Sequence, residues 1–246
     1  MPHLRFQVVG AVQRTVLFLF GWFVVFLLLG GGIYWWMGTS LTNLAFFDSR
    51  SDQPLTVFEF VRAPATEQLQ PAYARPIKQL FQEEGAQLYP GYSLQHVSRG
   101  TVADEWPQLI SYQMPQGSAL VEVMTSTAYR ELQDAVQEFE SLKLGSFQQM
   151  PENSPGALLV VLAQVRESTN LDPLSSILAM VPQHSVMIDD EPLNLQSERE
   201  WHRLLLVQFD NRDAAVAWLN DKDVALEWEI LNSKLHHLAV MLYANN

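Results

Sequence analysis

Cysteine is absent from all 246 residues. That absence removes disulfides, thiolate nucleophiles, iron–sulfur clusters and thiolate zinc sites together. It also agrees with an oxidising compartment, where stray thiols are a liability. Basic residues are scarce too: 15 Lys and Arg stand against 27 Asp and Glu, for a formal net charge of −12. A surface of that sign repels nucleic acid and anionic headgroups, so a nucleic-acid function is excluded. No G-x-S-x-G elbow, P-loop or dinucleotide fingerprint occurs. The 6 histidines form no metal pattern. His236 and His237 are neighbours on an expected strand and would point to opposite faces. Asp189-Asp190-Glu191-Pro192 lacks the alternate oxygen ligands and the bend glycine of a Ca²⁺ loop, and reads as a solvated hairpin tip. Glu227 and Glu229 read as helix-surface charges. No catalytic residue, metal ligand or cofactor is assigned.

What the chain does have is a long apolar run. Thr15 to Phe47 is 33 positions without a charged side chain. Its centre, Val16 to Trp36, makes a helix of about 32 Å, which matches a bilayer core of about 30 Å. Residues 15–37 are therefore expected to span a membrane once, with Arg14 and the belt Tyr34, Trp35 and Trp36 at the two interfaces. Arg5 and Arg14 precede the span without an acidic neighbour, so positive-inside places residues 1–14 in the cytoplasm and the large C-terminal part outside. Residues 38–54 read as a tether.

Beyond the tether the pattern becomes regular. Leu55 to Val61 reads as a strand, Thr66 to Glu84 as a helix started or kinked by Pro71 and Pro76, and Tyr92 to Val102 and Gln108 to Met114 as strands. Ser118 to Leu142 reads as a helix with a break at Thr125-Ser126-Thr127, followed by a short strand at Ser146 to Met150. The linker 151–156 follows, and the order repeats. Ala157 to Val165 is a strand, Leu171 to Val181 a helix, Ser185 to Ile188 and Trp201 to Phe209 strands, Asp213 to Asn232 a helix and Leu235 to Tyr243 the last strand. At an offset of 95 residues, Glu105-Trp106 meets Glu200-Trp201, Leu109 meets Leu204, Gln113 meets Gln208, Ala119 meets Ala214 and Val121 meets Val216. This indicates a duplication, with repeats at 55–150 and 157–246.

The stretch Trp201 to Leu219, WHRLLLVQFDNRDAAVAWL, resembles the strand–F-x-[ST/N]-R-x-A-A-x-x-W–helix signature of small dimeric α+β barrel proteins, and of an uncharacterised bacterial family among them. Ser126-Thr127-Ala128-Tyr129-Arg130-Glu131-Leu132 is a weaker echo of that family's S-P-x-Y-x-x-L segment. The resemblance covers about forty residues and implies an α+β fold: two tandem ferredoxin-like β-α-β-β-α-β units after the membrane helix, forming a pseudo-dimeric barrel within one chain. The two-repeat haem proteins resembling chlorite dismutase share that arrangement, but their proximal-histidine motif is missing here. In a bacterium, the orientation above gives an inner-membrane protein with a periplasmic domain.

Two functions from different classes follow. The leading one is a non-catalytic interaction or accessory subunit, anchored in the bilayer and docked on a membrane or periplasmic protein. The alternative is a small-molecule- or haem-binding, monooxygenase-like oxidoreductase, with a pocket drawn from Trp106, Trp201, His202, Trp218 and His237. For the tryptophans, including Trp228, core packing competes with that role.

Overall fold

The computed structural model describes residues 52–245 apart from 64–69, 102–103, 136–139, 151–155, 167–171, 182–185 and 198. The expected membrane helix, its flanks, most of the tether and linker residues 151–155 lie outside the described residues. Among the described residues no helix is long and apolar enough to cross a membrane.

Among the described residues, ten strands and six α-helices follow one another in the order β1 (Leu55–Arg62), α1 (Arg75–Glu83), β2 (Gln87–Leu88), β3 (Tyr92–Arg99), β4 (Gln108–Met114), α2 (Gly117–Thr125), α3 (Thr127–Asp134), β5 (Glu140–Ser146), β6 (Ala157–Val165), α4 (Asp172–Ala179), β7 (Val186–Asp189), β8 (Leu193–Gln196), β9 (Arg203–Phe209), α5 (Arg212–Leu219), α6 (Lys222–Lys234) and β10 (Leu235–Asn245). A π-helical turn, Gln70–Ala74, leads into α1, whose first turn carries Pro76 where a missing N–H costs nothing. Gly85, at φ +81°, lets the chain leave α1 in the left-handed conformation that closes a helix C-terminus.

The duplication extends from residues to elements. β9, α5, α6 and β10 begin at Arg203, Arg212, Lys222 and Leu235, each 95 residues after the start of β4, α2, α3 and β5 at Gln108, Gly117, Thr127 and Glu140. Two expectations are corrected here. The last strand of the first unit is Glu140–Ser146 and not 146–150, because Leu142 and Leu144 alternate into the core as strand residues. The helix expected at Asp213–Asn232 is two helices, broken at Asn220 and Asp221 as its counterpart is at Ser126.

All strands belong to one antiparallel sheet in the order β7-β9-β6-β10-β3-β4-β1-β5-β8, with β2 also on β4. Each unit keeps the ferredoxin-like order within itself. Its second hairpin strand then crosses to the other unit: β3 runs mainly along β10 and β8 along β5. The path ends, β7 and β8, are consecutive in the chain. Residues 190–192 can span at most about 14 Å, whereas a flat path of these strands would be about 38 Å wide. The sheet therefore curls until its ends stand close together. No ladder joins β7 to β8 among the described residues, so the sheet stays open there.

Strand alternation sorts the side chains to the two faces of this sheet. Inside the curl, Phe58, Phe60, Leu142 and Leu144 of the first unit pack with Leu158, Val160, Leu162, Leu204, Leu206, Met241 and Tyr243 of the second. On the outer face of the second unit, Leu159, Val161, Leu205 and Val207 meet Trp218, Trp228 and Leu231 of α5 and α6. The equivalent face of the first unit buries Tyr73, Ile77, Phe81, Tyr112 and Tyr129. There Phe81 stacks on Tyr112 at 4.0 Å, a contact that contributes about 1 kcal/mol beyond area burial.

Candidate functional site

The inner core does not fill the curl completely. At one end, where β1 finishes, β5 starts and β8 has already ended, a cavity of about 440 Å³ opens. Trp106 and Trp201 face it with Leu142, while Arg62, Glu140, Asp104 and Arg199 supply charge, and Ser141, Gln196 and Ser197 complete the wall.

Several of these groups are counterparts in the duplication. Asp104 and Arg199, Trp106 and Trp201, and Leu142 and His237 each stand 95 residues apart. The cavity is thus built where the two units meet around their internal two-fold relation. The counterparts Asp104 and Arg199 have become opposite in charge and bind one another, with Arg199 Nη1 3.0 Å from Asp104 Oδ1.

Asp104 is only 3 % exposed and organises its surroundings. Its Oδ2 accepts from Thr101 N at 2.7 Å and Thr101 Oγ1 at 2.9 Å, and lies 2.8 Å from His237 Nε2. Gly100, at φ +133°, makes this turn feasible. A Cβ there would stand 2.9 Å from Asp104 Oδ2. His237 Nε2 is also 2.8 Å from Arg199 Nη1, and its ring lies 5.6 Å from that of Trp201. On the opposite wall the Arg62 guanidinium lies 4.8 Å over the Trp106 ring, a cation–π contact, and pairs with the exposed carboxylate of Glu140. Tyr243 Oη donates to Trp106 O at 3.1 Å and fixes that indole's backbone. Burial holds the Tyr243 phenol well above its ordinary range, so it stays a donor.

Of the pocket residues expected from sequence, Trp106 and Trp201 line the cavity and His237 adjoins it. His202 does not join them. Its Nδ1 accepts from Val165 N at 2.9 Å and its own N–H donates to Ala163 O at 3.0 Å, so it splices β9 to β6. Trp218 packs in the outer core of the second unit, donating Nε1–H to Met180 O at 2.9 Å, and Trp228 lies edge-on to it at 6.2 Å. His96 and His236 are exposed on their strands. At the acidic tip, Asp189 accepts from Ser146 Oγ and from Glu191 N, while Asp190 pairs with Arg203. No group of three or more metal-ligating side chains is present among the described residues. Sequence reasoning alone does not single out Asp104, Arg199 and Arg62. The signal for the first two was available, since they immediately precede the matched Glu-Trp pairs.

A second polar cluster lies behind the cavity wall. Glu59 of β1 and Lys143 of β5 are register partners with fully buried side chains, paired at 3.0 Å. Tyr73 donates to Glu59 Oε1 at 2.5 Å, and Lys143 Nζ donates to Ser141 Oγ and Gln196 Oε1, both at 2.7 Å.

Haem iron in proteins is held by His, Cys, Met or Tyr. None of the described residues lining the cavity is of these types, and His237 Nε2 is engaged by Asp104 and Arg199. The residues present do not fit a haem.

No family model matches the chain, and no curated protein matches it. Among solved structures, an anthrone oxidase-like protein is 14% identical with a TM-score of 0.48, over 79% of this chain and 92% of that one. A mutant chlorite dismutase from Candidatus Nitrospira defluvii is 9% identical with a TM-score of 0.45, over 76% and 91%. A dimeric protein of unknown function and ferredoxin-like fold from Bacteroides fragilis is 15% identical with a TM-score of 0.25, over 36% and 94%. These likenesses are too distant to carry function. The reciprocal crossing of β3 to β10 and of β8 to β5 ties the two ferredoxin-like units into one sheet.

Proposed function

We propose that the chain is a small-molecule-binding protein whose curled sheet works as a pseudo-dimeric α+β barrel. Its ligand is planar and largely apolar, carries one acidic group, and sits between Trp106 and Trp201. The observation that carries this reading is the cavity of about 440 Å³ with two counterpart indoles and two guanidiniums on its walls. That volume lies within the usual range for small-molecule sites, which pair an apolar lining with a few convergent polar groups. Both indoles line the cavity, Trp201 as part of the inner core and Trp106 with Arg62 over its ring. Glu140 is 58 % exposed, so the acidic group of a ligand can replace it on Arg62 with little desolvation. Arg199, by contrast, is committed to the buried Asp104. Any reaction in this cavity would be of a kind that needs no haem.

The test is a titration with 1-naphthoate, read by tryptophan fluorescence. The wild-type chain should be quenched saturably, and Trp106→Ala and Trp201→Ala should each weaken binding at least tenfold. Linear, unsaturable quenching that is the same in all three proteins would refute the reading.

The proposal retains residues 15–37 as an inner-membrane anchor with the domain on the periplasmic side, supported by the uncharged run and its flanking Arg5 and Arg14. A reporter fused at the C-terminus reads the side directly, and cytoplasmic activity would sink this part. A second reading, docking on an envelope protein, draws on Leu226 and Ile230, which stand one turn apart and 59% and 37% exposed on α6. A stoichiometric partner retained through gentle detergent extraction would support it, and a lone chain would count against it.

A further inference from the structure

The pair Glu59–Lys143 is not explained by stability. Two charges taken out of water gain little over an apolar pair of the same volume. Glu59 Oε2 is, moreover, buried with no hydrogen-bond partner among the described residues. The pair's position is more informative than its energy. Glu59, Lys143 and Gln196 are successive register partners across β1, β5 and β8, and the last of these strands comes from the second unit. Lys143 Nζ, itself at 0% exposure, spends its three hydrogens on Glu59 Oε1, Ser141 Oγ and Gln196 Oε1. The latter two residues line the cavity. The ammonium also lies 5.5 Å from the Tyr129 ring centre, and Tyr73 donates to the same Glu59 oxygen that it pairs with.

We infer that Lys143 is a positioning residue for the cavity. Anchored from behind by Glu59, it holds Ser141 and Gln196 in place and pins β8 to β5, where the second unit closes over the ligand. The inference rests on the binding role proposed above, but it makes one prediction that needs no ligand.

Lys143→Met leaves an unpaired buried carboxylate and should lower stability. The double variant Glu59→Gln/Lys143→Met removes both charges, keeps an acceptor for Tyr73 and should regain most of that loss. If Lys143 positions the wall, the double variant still binds 1-naphthoate at least tenfold more weakly than wild type. Its amides at 193–197 also exchange hydrogen at least tenfold faster, although its melting temperature is near wild type. Gln196→Leu leaves the buried pair intact and should reproduce the faster exchange at 193–197. Wild-type exchange at 193–197 in both the double variant and Gln196→Leu would overturn the inference, as would full probe affinity in a well-folded double variant. A wild-type chain that binds no 1-naphthoate refutes the cavity's proposed role instead, and the exchange rates then decide on Lys143 alone.

Discussion

Individual residues in this domain are governed by burial of groups that ordinarily meet water. Burial pushes the Tyr92 phenol up to about 12, and holds those of Tyr73, Tyr112 and Tyr243 well above the ordinary value of 10.0. For Tyr73 and Tyr112 the nearby Glu59 carboxylate adds to the shift. These folded-state values are raised, so the stabilisation is complete below pH 10 and is lost as pH climbs from there toward and beyond 12. Alkaline unfolding should therefore be abrupt, with phenolate absorbance rising together with the loss of circular dichroism. Ionisation of these tyrosines in a still-folded protein would contradict this. The same burial explains what the sequence concealed. Glu59 and Lys143 sit inside strands where a charged residue ordinarily marks a solvent-facing position, and only the register that pairs them, with Tyr73 brought in by a π-helical turn, shows them to be internal. Trp106 and Trp201 were candidates by their aromatic chemistry, and they also recur at the offset of 95 residues. Trp218 shared their chemistry but faces the helix layer, a difference that composition does not carry.

Among the elements, the duplicated breaks between helices are set by capping. Ser126 and Asp221 are counterparts, and each caps the helix that follows: Ser126 Oγ accepts from Tyr129 N at 3.1 Å, and Asp221 Oδ1 from Asp223 N at 2.9 Å. Asn211 caps α5 in the same way, whereas its counterpart Gln116 makes no capping bond to α2. Asp221→Ala and Asn211→Ala should each cost about 1 kcal/mol in chemical denaturation, and Gln116→Ala should stay within about 0.5 kcal/mol of wild type. Equal effects at all three sites would contradict the capping account. The break at Ser126 was readable from a Thr-Ser-Thr cluster. The break at Asp221 was not, because the apolar residues of α5 and α6 continue a helical period across it. β5 was misplaced for a related reason: Leu142, three residues after Phe139, extends the periodicity of the expected helix, and the strand reading wins only once β1 lies beside it. β8 is four residues long, too short for any periodicity, and its place is decided by an edge contributed by the other unit.

At the scale of the whole molecule, the two units are not separable. β3 and β8 complete each other's sheets, the inner core draws side chains from both repeats, and the cavity exists only between them. Denaturation should therefore follow one transition, with tryptophan fluorescence and far-ultraviolet circular dichroism coincident. Two resolved steps would mean that the units fold independently. The β-α-β-β-α-β order and its repetition were legible because the longer strands and helices announce themselves locally, which the short β2 and β8 do not. How the units exchange strands was not, since it depends on edges 48 to 53 residues apart in the chain at β5–β8 and 141 to 153 apart at β3–β10.

The measurement that bears most directly on the central claim is the release of bound small molecules. The full chain, extracted in mild detergent from the membranes of its own source, would be denatured and its small-molecule fraction weighed by mass spectrometry beside that of a Trp106→Ala/Trp201→Ala variant. A planar, acidic compound in near-equal molar amount to the wild-type chain, and missing from the variant, is the result predicted here. An empty wild-type chain, or the same compound in equal amount from both proteins, would contradict a ligand held between the two indoles.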